Sequence, residues 1–217
     1  MKKILTIGSV VVGLALAITV SAENPRPMRG DVMTGEADVY NSGWVTGISA
    51  DGGAKGQSIA LGDGSTDGST DFAYYSFPNW WDQDLADVTK IRASFMAHED
   101  ATNSGGSPRF SLILDSDADG DNDAGDVNVF LDPAHCGVLQ TNNWTFSDFT
   151  GAETNCTIFD STGASYTSDV DGTAWSKLVA AYPDAKVWFM FLIQDATTGI
   201  NYVDRIMLDS AFFTKQP

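Results

Sequence analysis

Short runs of alternating or wholly apolar residues recur along the chain, each bounded by Gly, Asp, Ser, Asn or Pro. The pattern predicts strands over Gln57–Leu61, Asp71–Phe77, Lys90–Ala97, Arg109–Leu114, Val127–Leu131, Trp144–Phe149, Cys156–Phe159, Lys186–Gln194, Ile200–Leu208 and Ala211–Thr214. Such spacing points to a β-sandwich or barrel. The run Val187 to Ile193 is apolar on both faces, which predicts a central strand covered on each side over part of its length. In the next strand Tyr202, Asp204, Ile206 and Leu208 alternate with Val203, Arg205 and Met207, and Thr197-Thr198-Gly199 predicts a hairpin turn between the two. One helix is expected from about Thr173 to Tyr182. There Trp175, Leu178, Val179 and Tyr182 share a face, Asp171 or Thr173 supplies the cap and Pro183 the stop.

Between two predicted strands, residues Asp115 to Asp126 read DSDADGDNDAGD, six carboxylates that repel one another unless a cation joins them. Asp115, Asp117 and Asp119 fall at positions 1, 3 and 5 of a calcium loop, with Gly120 at the sharp turn. Asp121 offers its carbonyl at position 7, Asp123 acts directly or through water at position 9, and Asp126 closes position 12. Hard oxygen donors at this density favour Ca2+ over zinc or copper. These twelve residues resemble the calcium loops of EF-hands, dockerins and thrombospondin type 3 repeats. Two departures stand out: Asn122 occupies the aliphatic position, and the shorter Asp126 replaces the closing Glu. Because the flanks read as strands, the expectation is a calcium-stapled β-hairpin rather than a regulatory helix pair.

The order of elements from Gln57 to Thr214 carries a wider resemblance. The SIALGDG strand, the AYYSFP strand, the LADVTKIRASFMA connection and the closing YVDRIMLD strand resemble the jelly-roll sandwiches of secreted carbohydrate-binding modules. The resemblance implies an all-β fold, a jelly-roll-like antiparallel β-sandwich with one short helix. It also implies a second metal site at Asp204, with Glu36 or Asp38 from the start of the domain; a bond from Asp204 to Arg205 or to a backbone amide is the competing reading. For a sugar ligand, Trp80 and Trp81 are the candidate platform, with Tyr74, Tyr75, Trp44 and Trp144 behind them, and loop or core packing is the competing use of these rings.

The N-terminus reads MKK, an apolar run from Ile4 to Val20, then Ser21-Ala22 before Glu23. This is the form of a secretory signal over residues 1–22, although a run of that length also approaches a bilayer span. Residues 23–217 are expected to form a single calcium-binding β-sandwich domain, secreted or extracellular, with periplasm or cell surface as further destinations. Without residues 1–22 the chain holds 10 basic and 29 acidic residues, a net charge of −19, so nucleic acid and anionic lipid surfaces are poor partners. Of the acids 25 are Asp and four are Glu, a bias toward loops and metal ligands rather than helix faces. In an exported chain Cys136 and Cys156 pair most simply as one disulfide, two buried thiols being the alternative.

Catalysis has little support in the sequence. No GxSxG, HExxH or phosphate loop is present, and Glu99 and Glu153 stand in polar loops without distinguishing neighbours. His98, beside Glu99 and Asp100, reads as the solvent end of a strand, a base or metal group being the alternative, and His135, next to Cys136, as positioned by the disulfide loop. The expected function is a non-catalytic module that binds glycans or a cell-surface polymer. A structural subunit of an extracellular layer, matrix or filament, whose partners are copies of itself, is the alternative, and a polysaccharide-active enzyme the third.

Overall fold

The computed structural model describes residues 39–40, 42–46, 48–50, 57–62, 72–77, 82–99, 101, 108–117, 119–120, 123, 125–136, 139–151, 156–195 and 199–212. Residues 1–22, expected as a secretory signal, and Glu36, Asp38, Trp80, Trp81, Asp121 and Glu153 lie outside the described residues.

Two antiparallel sheets form the molecule. The first, of eight strands, runs in the order β1 (Val39–Tyr40), β4 (Ala73–Ser76), β12 (Lys186–Gln194), β7 (Arg109–Asp115), β8 (Val127–Leu131), β10 (Thr157–Asp160) and β11 (Ser165–Thr167). Strand β5 (Gln83–Asp84) joins it beside the start of β12. The second sheet, of six strands, runs β2 (Ser42–Thr46), β3 (Gln57–Leu61), β13 (Asn201–Leu208), β6 (Ile91–Ala97) and β9 (Thr145–Asp148), with β14 (Ala211–Phe212) paired to the end of β13. The chain passes repeatedly from one sheet to the other, which makes the fold an all-β sandwich and not a barrel.

Alternation explains the core. Ile91, Ala93 and Phe95 of β6 and Val203, Ile206 and Leu208 of β13 turn inward from the second sheet. Phe110, Leu112 and Leu114 of β7 and Val127, Val129 and Leu131 of β8 meet them from the first. Phe95, Phe110 and Phe149 pack edge to face at the centre, with ring centroids 5.9 to 6.1 Å apart.

Strand β12 is central and covered on both faces, as its apolar run predicts. Val187, Met190 and Leu192 enter the sandwich core, while Phe189, Phe191 and Ile193 form a second buried cluster with Phe72, Tyr74, Ile113 and Trp188. Pairing with β7 skips Trp188, so a bulge resets the alternation there.

The expected β12–β13 hairpin is not formed. Both edges of β12 are taken, by β4 and β7, so the chain arches across and β13 enters the other sheet. Side chains close the arch where a hairpin would use its backbone ladder. The fully buried Gln194 receives a hydrogen bond from Asn201 Nδ2 (2.7 Å) and donates to the Gly199 carbonyl (2.9 Å). The expected facing of β13 also needs correction. A bulge between Asp204 and Met207, with Arg205 at φ 52°, shifts the phase, so Val203, Ile206 and Leu208 face the core while Tyr202 and Asp204 face outward.

The single α-helix among the described residues, α1 (Ala174–Ala181), is capped by Thr173, whose Oγ1 accepts from the Ser176 amide at 3.0 Å. Trp175 and Leu178 are buried under it against β10 and β11. Cys136 and Cys156 form a disulfide that ties the 3-10 turn Pro133–Cys136 to the entry of β10. Among the described residues no helix is long and apolar enough to cross a membrane.

Candidate metal centre

Strands β7 and β8 are a hairpin paired from Phe110↔Leu131 to Leu114↔Val127, so the loop Asp115 to Asp126 springs from the middle of a rigid sheet. Asp115 ends β7 with 1 % of its surface exposed. Its Oδ2 accepts from the Gly120 amide at 3.1 Å, which closes the turn, and Gly120 sits at φ 82° where only glycine is at ease. Its Oδ1 has no hydrogen-bond partner. A buried carboxylate oxygen without a donor is costly, about 1–3 kcal/mol or more for a charged group, unless a cation meets it.

Two other carboxylates converge on that oxygen's side chain. One carboxylate oxygen from each of Asp115, Asp117 and Asp119 lies within 4.8 Å of the others. Ligands of one calcium ion stand about 2.3–2.6 Å from it, so this spread fits a common ion. Asp126 adds a further buried and unpartnered oxygen, Oδ1, while its Oδ2 accepts from the Asp123 amide at 3.1 Å. Burial raises the Asp126 carboxyl; against the lowering bond from Asp123, the charges of Asp115, Asp123 and Asp117 raise it further, to about 6. A divalent cation would reverse this repulsion, and hard carboxylate oxygens alone suit calcium.

Asp123 serves the loop itself. Its Oδ1 accepts from the Gly125 amide at 2.6 Å, and its carbonyl accepts from the Asp126 amide at 3.3 Å. Ser116 Oγ donates to the Gly125 carbonyl at 2.6 Å, bridging the two ends of the loop.

Asp204 stands apart, on the outer face of the second sheet. Its Oδ2 accepts from the Ala50 amide at 2.8 Å and its Oδ1 from the Arg205 amide at 2.6 Å, the backbone pairing that was the competing reading of this residue. Its proposed co-ligands Glu36 and Asp38 are outside the described residues. Of the aromatic candidates, Tyr74 lies in the outer cluster of the first sheet, whereas Tyr75 points into the sandwich core at 7 % exposure. Trp44 Nε1 donates to the Tyr75 hydroxyl at 3.2 Å, so Tyr75 offers no ring face to a ligand. His135 packs edge-on to Phe159, with Nε2 3.9 Å from Asp132, and His98 rests against Tyr202.

Two polar hubs escape the sequence reading. Asp160, 5 % exposed, accepts from the Thr162 and Ala164 amides and from the hydroxyls of Thr162, Tyr166 and Tyr182, tying α1 to the β10–β11 hairpin. Burial pushes its carboxyl up, but the donors Thr162, Tyr182, Tyr166 and Ala164 outweigh it and hold the carboxyl below the usual range. The sequence Asp-Ser-Thr-Gly at this turn was its only signal. Arg109 stacks on Phe130, 4.6 Å from the ring centroid, and pairs with Asp195, whose carboxyl is raised by burial against the lowering charge of Arg109.

No protein-family model, curated protein or solved structure matches the chain.

Proposed function

We propose that the protein is a calcium-stabilised module of the extracellular space that binds glycans or a cell-surface polymer. The observation that carries the calcium reading is the Asp115 carboxylate, buried at the hairpin end with an unpartnered oxygen and with Asp117 and Asp119 within 4.8 Å. The role of the ion is structural. It joins the ends of two central strands, at the affinity on the order of 10⁻⁴ to 10⁻³ M or somewhat tighter that suits calcium-rich extracellular fluid. The disulfide and the signal-like N-terminus support export. The partner follows from sequence: an acidic chain that repels nucleic acid and anionic lipid, with adjacent Trp80 and Trp81 as stacking rings.

Binding of the secreted chain to a polysaccharide array, with light scattering in calcium and in chelator, tests this reading. Expected is glycan binding that falls ten- to a hundredfold in Trp80→Ala or Trp81→Ala at an unchanged melting temperature. If both variants lose stability and neither changes binding to any glycan or cell surface, the platform is wrong. Calcium-dependent growth of scattering without glycan binding would instead make the protein a self-assembling structural subunit.

A further inference from the structure

We infer that Gly125 is a positioning residue of the loop, whose missing side chain leaves the room that the Asp117 carboxylate needs in order to reach the ion. The inference rests on the calcium reading above and on the buried, unpartnered Asp115 oxygen that marks the cradle. A Cβ placed on residue 125 would stand 2.8 Å from Asp117 Oδ2, 3.1 Å from Asp123 Oδ1 and 3.4 Å from Asp117 Cγ. Relaxed contacts of carbon are wider, so one partner has to move.

The backbone at 125 is held on both sides. Its amide donates to Asp123 Oδ1 at 2.6 Å and its carbonyl accepts from Ser116 Oγ at 2.6 Å. Asp117 is exposed, and no described residue donates a hydrogen bond to its carboxylate. The Asp117 carboxylate therefore yields, swinging away from the oxygens of Asp115 and Asp119. Gly125 lies outside the left-handed region, so alanine there meets no backbone strain. Gly120 is the converse case: at φ 82° with nothing within 4 Å of its Cβ position, it serves conformation and not space.

The experiment is a calcium titration of the full chain, with melting in chelator, for the wild type, Gly125→Ala, Gly120→Ala, Asp117→Ala and the Asp117→Ala/Gly125→Ala double variant. Gly125→Ala is expected to melt in chelator at or slightly above the wild type yet to need at least tenfold more calcium for half-saturation. Gly120→Ala is expected to melt lower in chelator. In the Asp117→Ala background, Gly125→Ala is expected to change calcium affinity by less than twofold, since the residue acts through Asp117. Equal calcium affinity of Gly125→Ala and wild type overturns the inference and leaves the calcium reading standing. A wild type that binds no calcium overturns both. If Gly125→Ala melts far below the wild type in chelator and Asp117→Ala does not restore it, the glycine serves the fold instead and the inference falls.

Discussion

Asp115→Asn separates the charge of the candidate metal cradle from its shape. The amide oxygen of asparagine still accepts from the Gly120 amide, and the side chain keeps its volume inside a site that is 1 % exposed. What disappears is one negative charge that faces Asp117, Asp119 and the raised carboxyl of Asp126. In chelator at neutral pH the variant should melt at or above the wild type, because a repulsive charge has become a hydrogen-bond donor to its neighbours. With calcium tenfold above the dissociation constant, binding stabilises the wild type by about 1.4 kcal/mol. For a chain of this size each kcal/mol moves the midpoint by about 2–4 °C, so calcium should raise the wild-type melting temperature by about 3–6 °C. In Asp115→Asn that rise should vanish. Calorimetry of both proteins in chelator and in millimolar calcium measures the two quantities together. A variant that keeps the full calcium-induced rise refutes the placement of the ion at Asp115. A variant that melts several degrees lower in chelator shows instead that the Asp115 charge supports the metal-free fold, for example toward its cross-strand neighbour Lys186.

Asp160→Asn should cost about 1–3 kcal/mol at neutral pH, because the half-buried hydroxyls of Tyr166 and Tyr182 lose a charged acceptor. Since the folded-state carboxyl is held below its usual range, its contribution is complete above that range and is lost as the pH falls through the lowered value. The gap in melting temperature between wild type and variant should therefore narrow on acidification, and a gap constant from pH 7 to pH 2 contradicts the hydrogen-bonded carboxylate. Replacing Cys136 and Cys156 together with Ser should cost about 3 kcal/mol through the loop they close, read by denaturant unfolding without reductant; an unchanged midpoint argues against the bond. Phe110→Ala, at the centre of the aromatic packing, should cost about 3–5 kcal/mol without altering calcium affinity per folded molecule, and a loss below 1 kcal/mol would mean that the two sheets do not pack through it.

Elements were legible where an apolar run is closed at both ends by polar turn residues, whether its burial alternates, as in β8, or covers both faces, as in β12. Strands β3, β8 and β12 fall where the pattern places them, and the helix differs by one residue at each end. Strand β2 was missed because SGWVT carries Gly43 and little alternation, and β11 because three residues at a sheet edge leave no pattern. The arch after β12 was misread for a deeper reason. A turn signal reports that the chain reverses, not whether the returning strand pairs with the one it left. That depends on whether both edges of β12 are already occupied, a long-range fact set by β4 and β7.

The candidate site divides along the same line between local spacing and three-dimensional placement. Alternate Asp residues after a strand were enough to bring Asp115, Asp117 and Asp119 together, since the hairpin and the Gly120 turn determine their geometry locally. Spacing could not tell that Asp123 would spend an oxygen on the Gly125 amide, or that Gly125 would lie against Asp117, because both follow from the fold of the loop back upon itself. Neighbouring tyrosines make the point for ligand binding. Residues 74 and 75 of one strand must face opposite ways, so both could not serve a surface; only the position of the second sheet decides that Tyr75 is the one turned inward. A spacing rule therefore finds a carboxylate cluster when its members sit within one loop, and loses force where partners come from distant strands and loops, as Asp204 and the Ala50 amide do across 154 residues of chain.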